Sequence, residues 1–159
     1  MNFDQAFDLL IKHEGGFSNN PDDKGGATMY GVTEAVARQN GYTGPMKDLT
    51  LEYAKVLYRK MYWDAVRADE LPAEVRFTVF DAAVNSGVNR AIKWLQQAVN
   101  ETQDGVIGAM TLRAVRQSIP SIIAVRISGI RLMFMTNQPN WPTFGKGWAR
   151  RIATNLADV

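Results

Sequence analysis

A mainly α-helical domain is what this sequence predicts, and three observations carry the prediction. Apolar residues recur at spacings of three and four through most of the chain. The breaks between those runs fall at Gly, Pro or a Thr placed to cap a helix. Only one stretch, residues 17–32, is rich in Gly, Asn, Asp and Pro and lacks helical periodicity. With 159 residues, 46% apolar and 21% charged, the chain suits one soluble compact domain.

Each element has its own signal. Phe3, Ala6, Phe7, Leu10 and Ile11 form one stripe, predicting a helix from Asn2 to Glu14 that Gly15-Gly16 stops. Residues 17–32 predict a structured loop or small β-hairpin. Thr33 is placed to cap a short helix ending at Gly41, and Thr50 to cap another with Ala54, Leu57, Tyr58 and Met61 inward. From Pro72 the run PAEVRFTVFDAAVNSG is apolar nearly all round, which predicts the buried centre of the domain, ended by Gly87. Arg90–Asn100 reads as an amphipathic helix. A loop over 101–108 leads to a short helix capped by Thr111, and Pro120 opens a long helix to about Asn137. After a break bracketed by Pro139 and Pro142, a last helix sets Phe144, Trp148 and Ile152 on one stripe, read as core. The total is seven to nine helices, with no linker and no repeat.

Composition removes several chemistries. There is no cysteine, so disulfides and Cys-based zinc or redox sites are excluded, and the single His13 leaves no His-pair metal motif. A Ser-His-Asp triad is disfavoured, so catalysis falls to carboxylates; neither cofactor nor metal is expected. Asn20–Gly25 has a faint likeness to a calcium loop, but Lys24 stands at a ligand position and Gly31 where the bidentate Glu belongs. No apolar run reaches 18 residues, and the start MNFDQAFDLLIKHEGG is unlike a signal peptide. The expectation is synthesis in the cytoplasm.

Charge is uneven. Residues 1–89 hold nine Lys/Arg against thirteen Asp/Glu, whereas residues 90–159 hold nine against three. A basic half predicts attraction to anionic envelope polymers or lipids, unless it is only a solvated helix surface. Arg113, Arg116, Arg126, Arg131, Arg150 and Arg151 are spread over several helices without a recognition motif, so a specific nucleic-acid partner is not expected.

The chemically informative stretch is His13-Glu14-Gly15-Gly16-Phe17, then Pro21-Asp22-Asp23-Lys24-Gly25-Gly26-Ala27-Thr28, then Tyr30-Gly31-Val32-Thr33. Glu14 falls in the predicted last turn of a helix, whose negative dipole end favours the neutral acid, as does burial in a cleft. A carboxylic acid kept protonated is what a glycosidic oxygen needs as proton donor. Asp23 and Thr28 follow across a Gly-rich turn that can fold back over the helix end. A carboxylate and a hydroxyl facing the acid would hold a water, as an inverting glycosidase requires. Spacing alone leaves open that Glu14 is a solvated helix-end residue and that Asp23 and Thr28 cap turns.

The pattern HEGGF…PDDKGGATMYGVT closely resembles the signature of glycoside hydrolase family 108, whose members are phage endolysins and bacterial muramidases. The resemblance runs through residues 3–90, including Phe80-Asp81-x-Ala83-Val84-Asn85-x-Gly87, and continues into the peptidoglycan-binding module that follows in the family. It implies a lysozyme-like helical fold, with Glu14 as catalytic acid. The order Glu14, Asp23, Thr28 is similar to the triad of phage-type lysozymes, in which Asp and Thr order the water. The implied organisation is a catalytic region 1–89 and a helical peptidoglycan-binding-type region 90–159 packed into the same globule.

Further candidates are Asn85, as a hydrogen-bond partner for an N-acetyl group or a helix-end Asn bonding backbone, and Tyr30, Tyr62 and Trp63, as sugar-facing aromatics or core. Asp104-Gly105-Val106-Ile107-Gly108-Ala109-Met110-Thr111 resembles the D-G-x-x-G-x-x-T turn of peptidoglycan-binding helical modules, where its role is structural. Trp141, Phe144 and Trp148 read as a core stripe or a wall-binding patch. The resulting expectation is a monomeric N-acetylmuramidase that cuts the β-1,4 bond between N-acetylmuramic acid and N-acetylglucosamine, a phage or prophage endolysin. The competing reading is a non-catalytic peptidoglycan-binding or secretion-accessory protein.

Overall fold

In the computed structural model, residues 1–12, 16–19 and 26–157 are described. Among them are eight α-helices and one two-stranded sheet: α1 (Phe3–Ile11), β1 (Thr28–Met29), β2 (Val32–Thr33), α2 (Glu34–Gln39), α3 (Leu51–Tyr58), α4 (Ala73–Ser86), α5 (Val88–Ala98), α6 (Ala109–Gln117), α7 (Pro120–Thr136) and α8 (Trp141–Ala157). The mainly α class is as predicted, and so is a hairpin inside the irregular stretch. The predicted end of the first helix at Glu14 lies outside the described residues. So does the Asn20–Gly25 stretch weighed as a calcium loop.

The chain divides into two compact units, residues 7–61 and residues 1–6 with 62–159. In the smaller unit, β1 and β2 pair antiparallel with Thr28 opposite Thr33 and Met29 opposite Val32. The two-residue loop between them puts Tyr30 at φ 51° and Gly31 at φ 74°. Positive φ at both positions is what a type I′ hairpin demands. Glycine takes that conformation without cost; Tyr30 does so at a penalty of roughly 1–2 kcal/mol. The Tyr58 hydroxyl donates to the Tyr30 carbonyl at 3.0 Å and holds the loop in place. The predicted caps are both present. Thr33 Oγ1 accepts from the Val36 amide at 3.3 Å, and Thr50 Oγ1 from the Tyr53 amide at 3.2 Å. Tyr58 meets Phe7 edge to face with centroids 5.6 Å apart, in a core shared with Leu10, Val32, Leu49 and Leu57.

The larger unit is organised around α4, which packs against α5 and α7, while α7 also packs against α8. Val75, Phe77, Val79, Phe80, Ala82 and Ala83 are all buried, as an all-round apolar helix must be. Burial of a side chain such as Phe80 contributes roughly 1.5–3 kcal/mol. Phe3, Trp63 and Phe80 form an edge-to-face cluster with centroids 5.4–6.0 Å apart. The α4–α5 corner turns at Gly87, φ 93°, where a side chain would be strained.

Two elements differ from their predictions. Helix α8 starts at Trp141, so Pro142 sits in its first turn instead of closing the break before it. Thr111 does not cap α6. Gly108 occupies the cap position, and Thr111 is buried inside the first turn, where its hydroxyl accepts from Gln96 Nε2 at 3.2 Å. Gln96 organises the whole D-G-x-x-G turn. Its Nε2 also donates to Asp104 Oδ1 (2.7 Å) and to the Val106 carbonyl (3.0 Å), and its Oε1 accepts from the Gly105 amide (3.0 Å). The expected structural role of this turn is therefore visible bond by bond.

Candidate functional site

Of the residues expected to act, Glu14 and Asp23 lie outside the described residues. Thr28 is placed by backbone bonds. Its amide donates to the Ser18 carbonyl at 2.7 Å and the Ser18 amide to its own carbonyl at 2.9 Å, an isolated antiparallel bridge that adds to the β1–β2 pairing. The strand leading from Gly16 and Phe17 is thereby tied to the hairpin, and Thr28 stands opposite a residue four positions beyond Glu14 in sequence. The Thr28 side chain is half-buried and makes no hydrogen bond or ion pair among the described residues. Phe17, just after the glycines, is 50% exposed. Tyr30 is half-buried at the hairpin tip in its left-handed conformation. Strained backbone of this kind concentrates at working sites, which marks the tip as part of the candidate surface.

The expected aromatic partners of a sugar divide. Trp63 is 0% exposed, with its ring edge to face against Phe3 and Phe80. A ring so enclosed presents no free face to a sugar, so Trp63 is core. Tyr62 remains half-buried. The α8 aromatics depart from the core stripe expected of them. Ile152 is buried, but Phe144 is 51% exposed, and Trp148 sits half-buried between Phe144 (5.9 Å, stacked) and Trp141 (6.2 Å).

Asn85 lines a pocket of about 220 Å³ within the larger unit, together with Arg90, Phe134, Gln138, Asn140 and Trp148. Sequence reading picked out Asn85 and, as part of a patch, Trp148; it missed the others, which include Ser86 and Met135. The available signal was the corner itself, because Arg90 follows three residues after the helix-ending Gly87.

One turn before Asn85 on the same face of α4 lies Asp81, fully buried. Arg131 Nη2 donates to its Oδ2 at 2.8 Å, and Asn155 Nδ2 to the same oxygen at 2.7 Å. Arg151 donates to Oδ1 through Nε at 2.9 Å, with Nη2 2.8 Å from that oxygen. Burial pushes the Asp81 carboxyl up, but the charges and hydrogen bonds of Arg131 and Arg151 outweigh it and hold the group below the usual carboxylate range. Two cations of the basic half, expected on the surface, are thus turned inward. Among the described residues no group of three or more His, Cys, Asp or Glu could hold a metal ion.

A mainly α chain with a small hairpin after its first helix, carrying Thr28 on its first strand, is the frame of a lysozyme-like glycosidase. The comparisons agree. The family model for glycosyl hydrolase 108 matches residues 7–87, and the chain belongs to that family. Its fold is similar to that in the structure of Brucella abortus SagA, with a TM-score of 0.88 and 38% identity over 98% of this chain and 92% of that one. No curated protein matches the sequence. The chain is a lysozyme-like glycoside hydrolase that acts on peptidoglycan.

Proposed function

We propose that this enzyme is an N-acetylmuramidase, cleaving the β-1,4 bond from N-acetylmuramic acid to N-acetylglucosamine, with Glu14 as general acid. Asp23 and Thr28 hold the water that attacks from the opposite face of the sugar. The observation that carries this reading is the Ser18–Thr28 bridge. It ties the segment just after Glu14-Gly15-Gly16 alongside the strand bearing Thr28, whose side chain makes no hydrogen bond among the described residues. A motif that only capped turns would engage that hydroxyl locally. Tyr30, at the tip of the same hairpin, supplies an aromatic face for a neighbouring sugar ring. The glycines around Glu14 let the polymer approach the backbone closely.

Mass spectrometry of peptidoglycan digested by the purified enzyme tests the bond. Fragments ending in reducing N-acetylmuramic acid are expected; reducing N-acetylglucosamine ends or freed stem peptides would overturn the assignment. Glu14→Gln should fold normally and lose at least about a hundredfold in lytic rate, the usual scale for a missing general acid. More than a tenth of wild-type lysis in a folded variant would remove Glu14 from that role.

A further inference from the structure

The pocket bounded by Asn85, Arg90, Phe134, Gln138, Asn140 and Trp148 has chemistry that the hydrolytic step does not use. We propose that it binds a carboxylate-bearing N-acetylated muramyl unit of the wall, with Arg90 gripping the carboxylate. The choice of sugar rests on the peptidoglycan activity above; the preference for a carboxylate rests on the pocket alone.

The lining contains one cation and no anion. The Arg90 guanidinium lies over the Phe134 ring with 4.4 Å to its centroid, and its Nη1 donates to the Ser86 carbonyl at 3.1 Å. Its remaining N–H groups have no partner among the described residues. A planar guanidinium fixed over a ring has already lost much of its rotamer freedom and presents a fork that matches a carboxylate. One helical turn below, Asp81 is paired with Arg131 and Arg151, so its carboxylate is already neutralised and leaves Arg90 as the charge that faces the pocket.

The carboxamides provide the second half of the recognition. Asn85 Oδ1 accepts from the Ser86 hydroxyl at 3.4 Å, which leaves its Nδ2 to donate. Gln138 Nε2 donates to the Phe134 carbonyl at 3.1 Å, which leaves its Oε1 to accept. The Asn140 side chain has no hydrogen bond among the described residues. A donor and an acceptor offered side by side suit an acetamido group. Trp148, continuous with the exposed Phe144, supplies an apolar face for the ring. At about 220 Å³ the pocket is smaller than the roughly 300–1,000 Å³ of sites that engulf whole ligands, so it takes one unit of a longer polymer.

Two carboxylates in the wall fit: the lactyl group of a bare muramyl sugar and the stem peptide. Titration calorimetry of the full chain separates them. One arm uses N-acetylmuramic acid, whose lactyl carboxylate is free. The other uses N-acetylmuramyl-L-alanyl-D-isoglutamine, whose only carboxylate is on the peptide. Binding in at least one arm is expected, with the corresponding methyl ester at least about tenfold weaker on the wild-type protein. Arg90→Gln should weaken the acid by about tenfold or more and Trp148→Leu should weaken acid and ester together. If Arg90→Gln lowers the melting temperature, the acid-against-ester comparison on wild-type protein decides by itself. The proposal is overturned if neither probe binds, if acid and ester bind alike, or if a folded Arg90→Gln binds as tightly as wild type. It is equally overturned if glycerol phosphate binds and neither muramyl probe does. Absence of wall cleavage by the wild-type protein would sink the muramidase reading and leave this binding result standing.

Discussion

Arg131 and Asp81, fifty residues apart in sequence, meet at 2.8 Å with both side chains sealed from solvent. That pair, with Arg151 and Asn155, ties α4 to α7 and α8 one turn beneath the candidate binding pocket. Asp81→Asn keeps the shape but removes the carboxylate charge that Arg131 and Arg151 both bond. Removing one partner from a buried pair costs about 3–5 kcal/mol. Urea unfolding should show a loss of that size, and a loss under about 1 kcal/mol would mean that the cluster is not an ionic clamp.

The same carboxylate sets an acid limit. Its folded-state pKa is depressed, because Arg131 and Arg151 outweigh the burial that opposes them. Its contribution to stability is therefore complete above the unfolded value, about 3.9, and is lost as pH falls through the lower folded value. The unfolding free energy should fall as pH drops below about 4. In Asp81→Asn the same stretch of the stability curve should be flatter.

Thr28→Val separates a structural from a chemical role for that residue. The Ser18 bridge uses Thr28 backbone atoms only, and valine is β-branched and suits a strand. The melting temperature should stay within a few degrees of wild type while the lytic rate falls by about tenfold or more. Unchanged lysis would take Thr28 out of the water-holding role.

Gln96 offers a purely structural control. It is buried, and Leu in its place would abandon Asp104, Val106, Thr111 and Gly105 at once. With buried Thr111 and the turn's backbone left unpaired, Gln96→Leu should cost about 2–3 kcal/mol by chemical denaturation. Near-neutral stability would show that water replaces the glutamine without penalty.

A fragment of residues 1–90 tests whether the helices after Gly87 form a separable module. In the larger unit α4 is covered by α5 and α7. Without them part of the all-round apolar surface of α4 would face water. The fragment should be insoluble, or soluble without a cooperative thermal transition. A cooperatively melting, lytic fragment would establish two independent modules.

The sequence by itself determined the helices, because the signals that place them are local. The apolar spacing of α1, the caps at Thr33 and Thr50, Pro72 before α4 and Gly87 after it act within a turn or two. It also narrowed the chemistry: one histidine and no cysteine leave carboxylates, and EGG with the spaced D-x-G-G-x-T motif is the basis on which we propose Glu14 and Asp23. Glu14 and Asp23 lie outside the described residues, so of that set only Thr28 has a described position. What the tertiary structure decided was the facing of side chains whose type is ambiguous alone. Trp63 and Phe144 are both large aromatics on helical segments, yet one is enclosed by Phe3 and Phe80 and the other is half exposed. Arg131 and Arg151 read as surface charge until Asp81 is seen between them. Arg90 joins Phe134 and Trp148 only when α5, α7 and α8 are assembled. A helix's own sequence sets which residues share a face, but what a face meets depends on partners tens of residues away.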